Sequence, residues 1–342
     1  MTTMGFASFQ RCPNTQDNRT TLRQLLKGRA VNKEFARSVG CMRNLLRRIS
    51  VARSASFGWK ASFKYSQIAN HGRARSPWQP SSSFNHVMAI EQDPVTALVT
   101  GAGLRLGRAI ALDLATHGWR IGVHHHTSSA AADDLVRKIE RLGSKAVALQ
   151  ADLTREDQLV SLVQRCGEQL GPPTCLINNA ARFEWDTPDT VDWPGWQAEL
   201  DVNLRAPIFL TQAFAKALPQ DASGCVINMI DQRVWRLTPE FFSYTIAKSA
   251  LWTATQTLAQ ALAPRIRVNA LGPGPVLPNR WQSTAEFERE CRSTPLGHGA
   301  TAEEICAAIR FLLDTPSVTG QMIALDGGQH LAWQGPSDKG KR

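Results

Sequence analysis

From residue 95 onward, short runs of aliphatic and β-branched residues alternate with stretches whose apolar residues recur every three to four positions. The runs at 95–100, 120–124, 145–150, 174–177, 224–230, 266–271 and 321–325 have the length of strands. The stretches at 107–117, 130–142, 156–170, 196–218 and 242–263 carry the helical period. Thr301 followed three residues later by Glu304 forms a capping box that opens a further helix to about 313. Regular alternation of strand and helix, with strands apolar throughout, predicts an α/β fold: one doubly wound domain whose parallel seven-stranded sheet is covered on both faces. No internal repeat interrupts it.

Residues 1–87 lack both periods. They hold 15 Lys and Arg against two acids, Asp17 and Glu34, whereas the other 255 residues hold 24 basic and 27 acidic groups. The formal charge of +10 therefore belongs to the leader, and a nucleic-acid role inferred from it loses its support. The leader reads as a disordered extension, an Arg-rich transit segment, or codons upstream of a start at Met88; the short polar run after Met88 favours the last. Two regions result, a basic leader at 1–87 and an enzyme-like domain at 88–342. Arg47-Arg48 is followed by no apolar stretch, which argues against export. No run approaches the ~18 apolar residues of a membrane span. Seven cysteines without a C-x-x-C pair suggest reduced thiols in a cytoplasmic protein. His124, His125 and His126 lie on a strand end, where alternate side chains point to opposite faces, so no metal site is expected.

The chemistry starts at Thr100-Gly101-Ala102-Gly103-Leu104-Arg105-Leu106-Gly107, between the first strand and a helix. Gly101 permits a tight turn, Gly107 permits close helix–sheet contact, and the helix N-terminus offers N–H groups to a pyrophosphate. An acid at the end of strand two would bind a ribose 2′-hydroxyl. Here stand His126, Thr127 and Ser128, with no acid before Asp133, and Arg105 adds positive charge. NADPH is expected over NADH. Asp152 either bonds the adenine edge or caps the next helix, while Asn179, Ala180 and Ala181 let backbone approach the cofactor. Tyr244 and Lys248 lie four apart on one helix face, and Tyr244 is the domain's only tyrosine. An ammonium beside a phenol is expected to lower the phenol pKa from ~10 toward a useful acid–base range.

These motifs in this order, with Asn203 in Asp201-Val202-Asn203 and a Pro-Gly loop at Pro273-Gly274, resemble the short-chain dehydrogenase/reductase superfamily over 255 residues. The resemblance implies a Rossmann-type domain in which Tyr244 is the acid/base, Lys248 adjusts its pKa and binds ribose, and Asn203 anchors a relay water. It also implies cofactor contacts from Leu106, Leu153, Pro273 and Gly274. Two departures narrow it. Asp231 stands where a Ser usually holds the substrate carbonyl, 13 residues before the tyrosine, and Arg105 stands where a small residue is usual. Both resemble the pteridine reductase branch, which includes dihydromonapterin reductases. That branch implies a pterin or dihydropterin substrate bound by Phe183, Arg105, Asp231 and Tyr244, with Asp231 and Tyr244 relaying a proton. A carbonyl or alcohol oxidoreductase of the same fold and a non-catalytic NADPH-binding sensor are the alternatives. The segment 277–291, with Arg280 and Trp281, is expected to lid the pocket. The helix at 242–263 is apolar or small nearly all round and calls for a partner, and the family implies a homotetramer.

Overall fold

The computed structural model describes residues 95–332, so the expectations for 1–87 and the boundary at Met88 lie outside the described residues. All seven strands form one parallel sheet in the order β3-β2-β1-β4-β5-β6-β7. They are β1 Thr96–Val99, β2 Arg120–His125, β3 Ala146–Gln150, β4 Cys175–Asn178, β5 Gly224–Met229, β6 Ile266–Pro273 and β7 Met322–Leu325. The strands are short; the inner ones are buried nearly throughout and the edge strands β3 and β7 are mostly half-buried, as expected of a sheet covered on both faces.

Alternation along the strands sorts two cores. Ala97, Val99, Ile121 and Ile177 face a layer made by α1 (Arg105–Thr116), α2 (Ser129–Arg141) and α8 (Ala302–Asp314). Leu98, Leu149, Leu176 and Val226 face the opposite layer, made by α3 (Glu156–Leu170), α5 (Ala206–Ala217) and α6 (Phe242–Leu262). Because β1 sits between β2 and β4, the strand order reverses there. The chain segments leaving β1 and β4 diverge to opposite sides, which opens a crevice at the C-terminal ends of the strands.

The single helix expected at 196–218 is three pieces. Asp192 caps α4 (Trp193–Leu200) by accepting from the Gly195 N–H at 2.7 Å, so the helix begins earlier than its apolar period indicates. A π-helical turn, Asp201–Arg205, then leads into α5. Pro207 has no N–H to give the carbonyl of Asn203 four residues before it, so the regular ladder fails at this point. The expected lid contains α7 (Thr284–Ser293), opened by a Ser283–Glu286 capping box.

Candidate active site

A cavity of about 970 Å³ occupies the crevice. Its walls include Gly101, Arg105, Leu106 and Gly107 from the turn, His126 and Thr127 after β2, and Asp152 and Leu153 after β3. Asn179, Ala180, Ala181 and Phe183 follow β4, Asp231 follows β5, Tyr244 and Lys248 come from α6, and Pro273 and Gly274 end β6. Ser128 and Asn203 are not on the wall. Ser128 instead sits behind Gly103, its Oγ 3.1 Å from where a Cβ would project.

Polar groups fix the glycine turn from beneath. Gly101 takes φ +61°, a conformation that disfavours a side chain. The Thr100 hydroxyl accepts the Asn179 and Ala180 N–H groups at 2.9 Å each. The Asn179 side-chain amide donates to the carbonyls of Thr100 at 2.9 Å and Gly101 at 3.3 Å. His124 completes the support: Nδ1 accepts the Gly101 N–H at 3.0 Å and Nε2 lies 3.1 Å from the Ala151 carbonyl. Only the neutral ring protonated on Nε2 satisfies both partners. Burial favours that form as well, pushing the imidazole pKa down to about 4. Among the described residues no cluster suited to a metal ion occurs. Asp152 does not cap α3, whose N-cap is Arg155. It accepts instead from the Thr154 N–H at 2.9 Å and hydroxyl at 2.8 Å.

At the other end of the cavity the Tyr244 hydroxyl meets Asp231 Oδ2 at 3.2 Å. The other Asp231 oxygen accepts the Arg233 N–H at 2.8 Å, so the residue caps a short 3₁₀ turn as well as facing Tyr244. Lys248 is buried under them and donates to the Met229 carbonyl at 2.7 Å. Its Nζ lies 5.7 Å from the Tyr244 ring centre. The expected lowering of the tyrosine pKa is not what this arrangement produces. Burial first and the Asp231 charge second push the phenol well above its ordinary value. Burial also raises Asp231, and it lowers Lys248 to about 8. Tyr244 thus keeps its proton, the state suited to donating one. Phe183 stands edge-on to Tyr244 at 4.7 Å and stacks on Phe241 at 4.0 Å. Phe241 holds a left-handed backbone, φ +53°, at the entry to α6.

Several of these contacts carried no signal in the sequence. Asp186 holds the N-terminus of α6 by accepting from the Ser243 hydroxyl at 2.5 Å and the Ser243 N–H. Glu199, one turn before Asn203, is buried and accepts from the Asn203 amide at 2.5 Å. Arg105, expected at a phosphate, donates to the lid carbonyls of Pro278 at 2.8 Å and Leu277 at 3.4 Å. The lid closes on the other side through an ion pair between Arg280 and Glu184. Arg280 also stacks over Trp281, which is half exposed and stands off the cavity wall.

A glycine turn at a helix N-terminus, a Tyr–Lys pair across the crevice and a buried Asn one helix away define an oxidoreductase site. A family profile described as enoyl-(acyl carrier protein) reductase matches residues 101–330, and the chain belongs to the short-chain dehydrogenase/reductase family. Two solved structures narrow the comparison. They are FolM alternative dihydrofolate reductase 1 of Brucella suis (46% identity, TM-score 0.69) and of Brucella canis (45%, 0.70), both with NADP bound. The first alignment covers 71% of this chain and 97% of the Brucella suis chain, and the second 72% and 98%. A 3-oxoacyl-(acyl-carrier-protein) reductase of Synechocystis sp. is 33% identical over 236 residues, 68% of this chain and 95% of that protein.

Proposed function

We propose that this protein is an NADPH-dependent pterin or dihydropterin reductase, with dihydrofolate-type compounds among its substrates. The observation that carries the proposal is Asp231 beside the Tyr244 hydroxyl, with Phe183 on the same wall. A ketone substrate wants a neutral hydroxyl donor at its oxygen. A pterin presents ring nitrogens that must gain a proton as the adjacent carbon gains hydride, and a carboxyl group can pass that proton. The flat ring of Phe183, backed by Phe241, offers a stacking surface to a planar heterocycle.

The cavity fits the dinucleotide. The turn leaves no room for a Cβ at Gly107, and α1 directs free N–H groups to the place of a pyrophosphate. Thr127 and His126 line the end of β2, where the chain itself carries no acid before Asp133, which favours a 2′-phosphate; Asp152 pairs with His126 at 4.0 Å, and Ser128 stands behind Gly103. Leu106, Asp152, Leu153, Asn179, Ala180, Ala181, Pro273 and Gly274 would hold the rest. When bound, NADPH supplies the hydride. Tyr244 and Asp231 hold the proton at the substrate nitrogen, Lys248 balances their charge, Asn203 braces the relay, and Arg105 with the lid excludes water.

NADPH oxidation measured with dihydromonapterin, dihydrobiopterin, dihydrofolate and a 3-oxoacyl thioester tests this. Turnover of the pterins is expected to exceed that of the thioester; the reverse order would refute the proposal. The second reading, a carbonyl reductase, draws on the 33% identical 3-oxoacyl reductase, but Asp231 lacks the hydroxyl a ketone site uses. The buried, unpaired thiols of Cys166, Cys175, Cys225 and Cys306 favour a reducing compartment, the cytoplasm. A homotetramer is the assembly we propose from the family.

A further inference from the structure

Behind Tyr244 and Lys248 lies a carboxyl group that no part of the cavity wall exposes. Glu199, 1% exposed, is the penultimate residue of α4 and stands four residues before Asn203. A carboxyl removed from water is costly unless its oxygens are bonded, and here they are. Oε2 accepts from Asn203 Nδ2 at 2.5 Å; Oε1 accepts from the Glu184 N–H at 3.0 Å and lies 3.5 Å from Arg182 Nε. Asn203 Nδ2 also donates to the Arg182 carbonyl at 2.9 Å. With both amide hydrogens committed, Asn203 Oδ1 is left as a buried acceptor with no donor among the described residues. The orientation of the Asn203 amide is therefore set by Glu199 together with the Arg182 carbonyl.

We propose that Glu199 is a positioning residue of the hydride-transfer site: as an anion it locks the Asn203 amide and holds positive charge on Lys248 beneath Tyr244. The proposal rests on hydride transfer in this family and not on which compound is reduced. The groups around Glu199 fix its sign. Arg182, Asp186 and the Glu184 N–H face it from the loop after β4, Asn203 from the π-turn, and Lys248 and Tyr244 from α6. Burial raises its pKa to about 7, against the opposing charge of Arg182. Lys248, lowered to about 8, is held up by Asp231 and then by Glu199. Near neutrality Glu199 is therefore partly ionised, and its charge counts where Lys248 begins to lose its proton.

The test is the pH profile of kcat/KM for the substrate turned over fastest in the NADPH panel, in wild type, Glu199→Gln and Arg182→Gln. The wild type is expected to gain activity as Glu199 ionises through about pH 7 and to lose it as Lys248 deprotonates above about 8. Glu199→Gln flattens the acid limb and moves the alkaline limb down by ~0.5–1 unit, because Lys248 loses a neighbouring anion. Arg182→Gln, at a side chain 40% exposed, keeps the fold and moves the acid limb upward, because Glu199 loses its cation. A reading independent of activity is stability. Glu199 binds its proton more tightly folded than unfolded, so the Tm of wild type relative to Glu199→Gln falls as pH rises from about 4.5 to 7. Limbs that stay in place in both variants, with kcat merely lowered, would overturn the proposal and leave Glu199 a brace for the loop. If Glu199→Gln does not fold, the Arg182→Gln profile decides alone: an unmoved acid limb overturns the proposal.

Discussion

Gly107→Ala puts one carbon into the most crowded part of the cofactor turn. The added Cβ would collide with the Gly101 carbonyl oxygen and lie 2.6 Å from Asn179 Nδ2 and 3.0 Å from Ala102 Cα. None of these is the loose end of a flexible side chain. Two are backbone, and the Asn179 amide is held by hydrogen bonds at 2.9 and 3.3 Å. Either α1 shifts away from the sheet or the amide leaves its partners. Overpacking of this kind costs about 1–3 kcal/mol, and each surrendered hydrogen bond adds about 0.5–1.5 kcal/mol. A total of roughly 2–5 kcal/mol corresponds to a Tm lowered by roughly 5–15 °C in a domain of this size. The same shift moves the α1 N–H groups off the pyrophosphate, so NADPH affinity is expected to fall by ~10-fold or more, which is 1.4 kcal/mol. Thermal scanning with and without NADPH and a fluorescence titration read both effects. Gly118→Ala is the control. Its φ of +84° penalises a side chain, but nothing lies within 4 Å of the new carbon. It should cost ~1–2 kcal/mol and leave NADPH binding alone. A Gly107→Ala protein with wild-type Tm and NADPH affinity would refute the packing that Gly107 is said to permit.

Asp231→Asn keeps the shape of the side chain and removes the acid; pterin turnover should fall by ~10²–10⁴ with NADPH binding nearly unchanged, as separate kinetic and titration measurements would show. Thr127→Asp should weaken NADPH by repelling its 2′-phosphate and leave NADH less affected, read as the ratio of the two kcat/KM values. His124 is held neutral when folded, at about 4 against an ordinary 6.5, so the unfolded chain binds more protons between these values. Its stabilising contribution is complete above about pH 6.5 and is lost as pH falls through about 4, and His124→Asn should flatten that slope in Tm. Light scattering at micromolar protein should give a tetramer mass; a monomer would refute that assignment.

The sheet was legible because seven apolar runs and the helices between them keep separate periods, and the ends fell within two residues. The helix around Asn203 was not. Its apolar spacing continues through the π-turn, and only Pro207 marks where the ladder breaks. That Tyr244, Lys248, Asp231 and the glycine turn share one cavity was legible because rare residue types fall at chemically meaningful spacings. The sequence shows His124 only as part of a three-histidine strand end, and Glu199 only as one of several polar residues on a helix; their roles depend on partners 23 and 15 residues away that the fold brings to them. The tyrosine pKa was misjudged for a related reason. Spacing placed Lys248 beside Tyr244, but burial and the carboxylate of Asp231 outweigh the ammonium.

The hydrogen bonds from Arg105 to Leu277 and Pro278 tie the turn at one end of the crevice to the lid at the other. Arg105 takes φ +51° where it makes this link, so the backbone of the turn and the reach of the guanidinium are coupled. A lid fastened to the cofactor turn cannot open fully without disturbing the grip on the dinucleotide. The kinetic consequence to expect is coupling: a substitution that frees the lid from Arg105 should also change how fast the dinucleotide leaves.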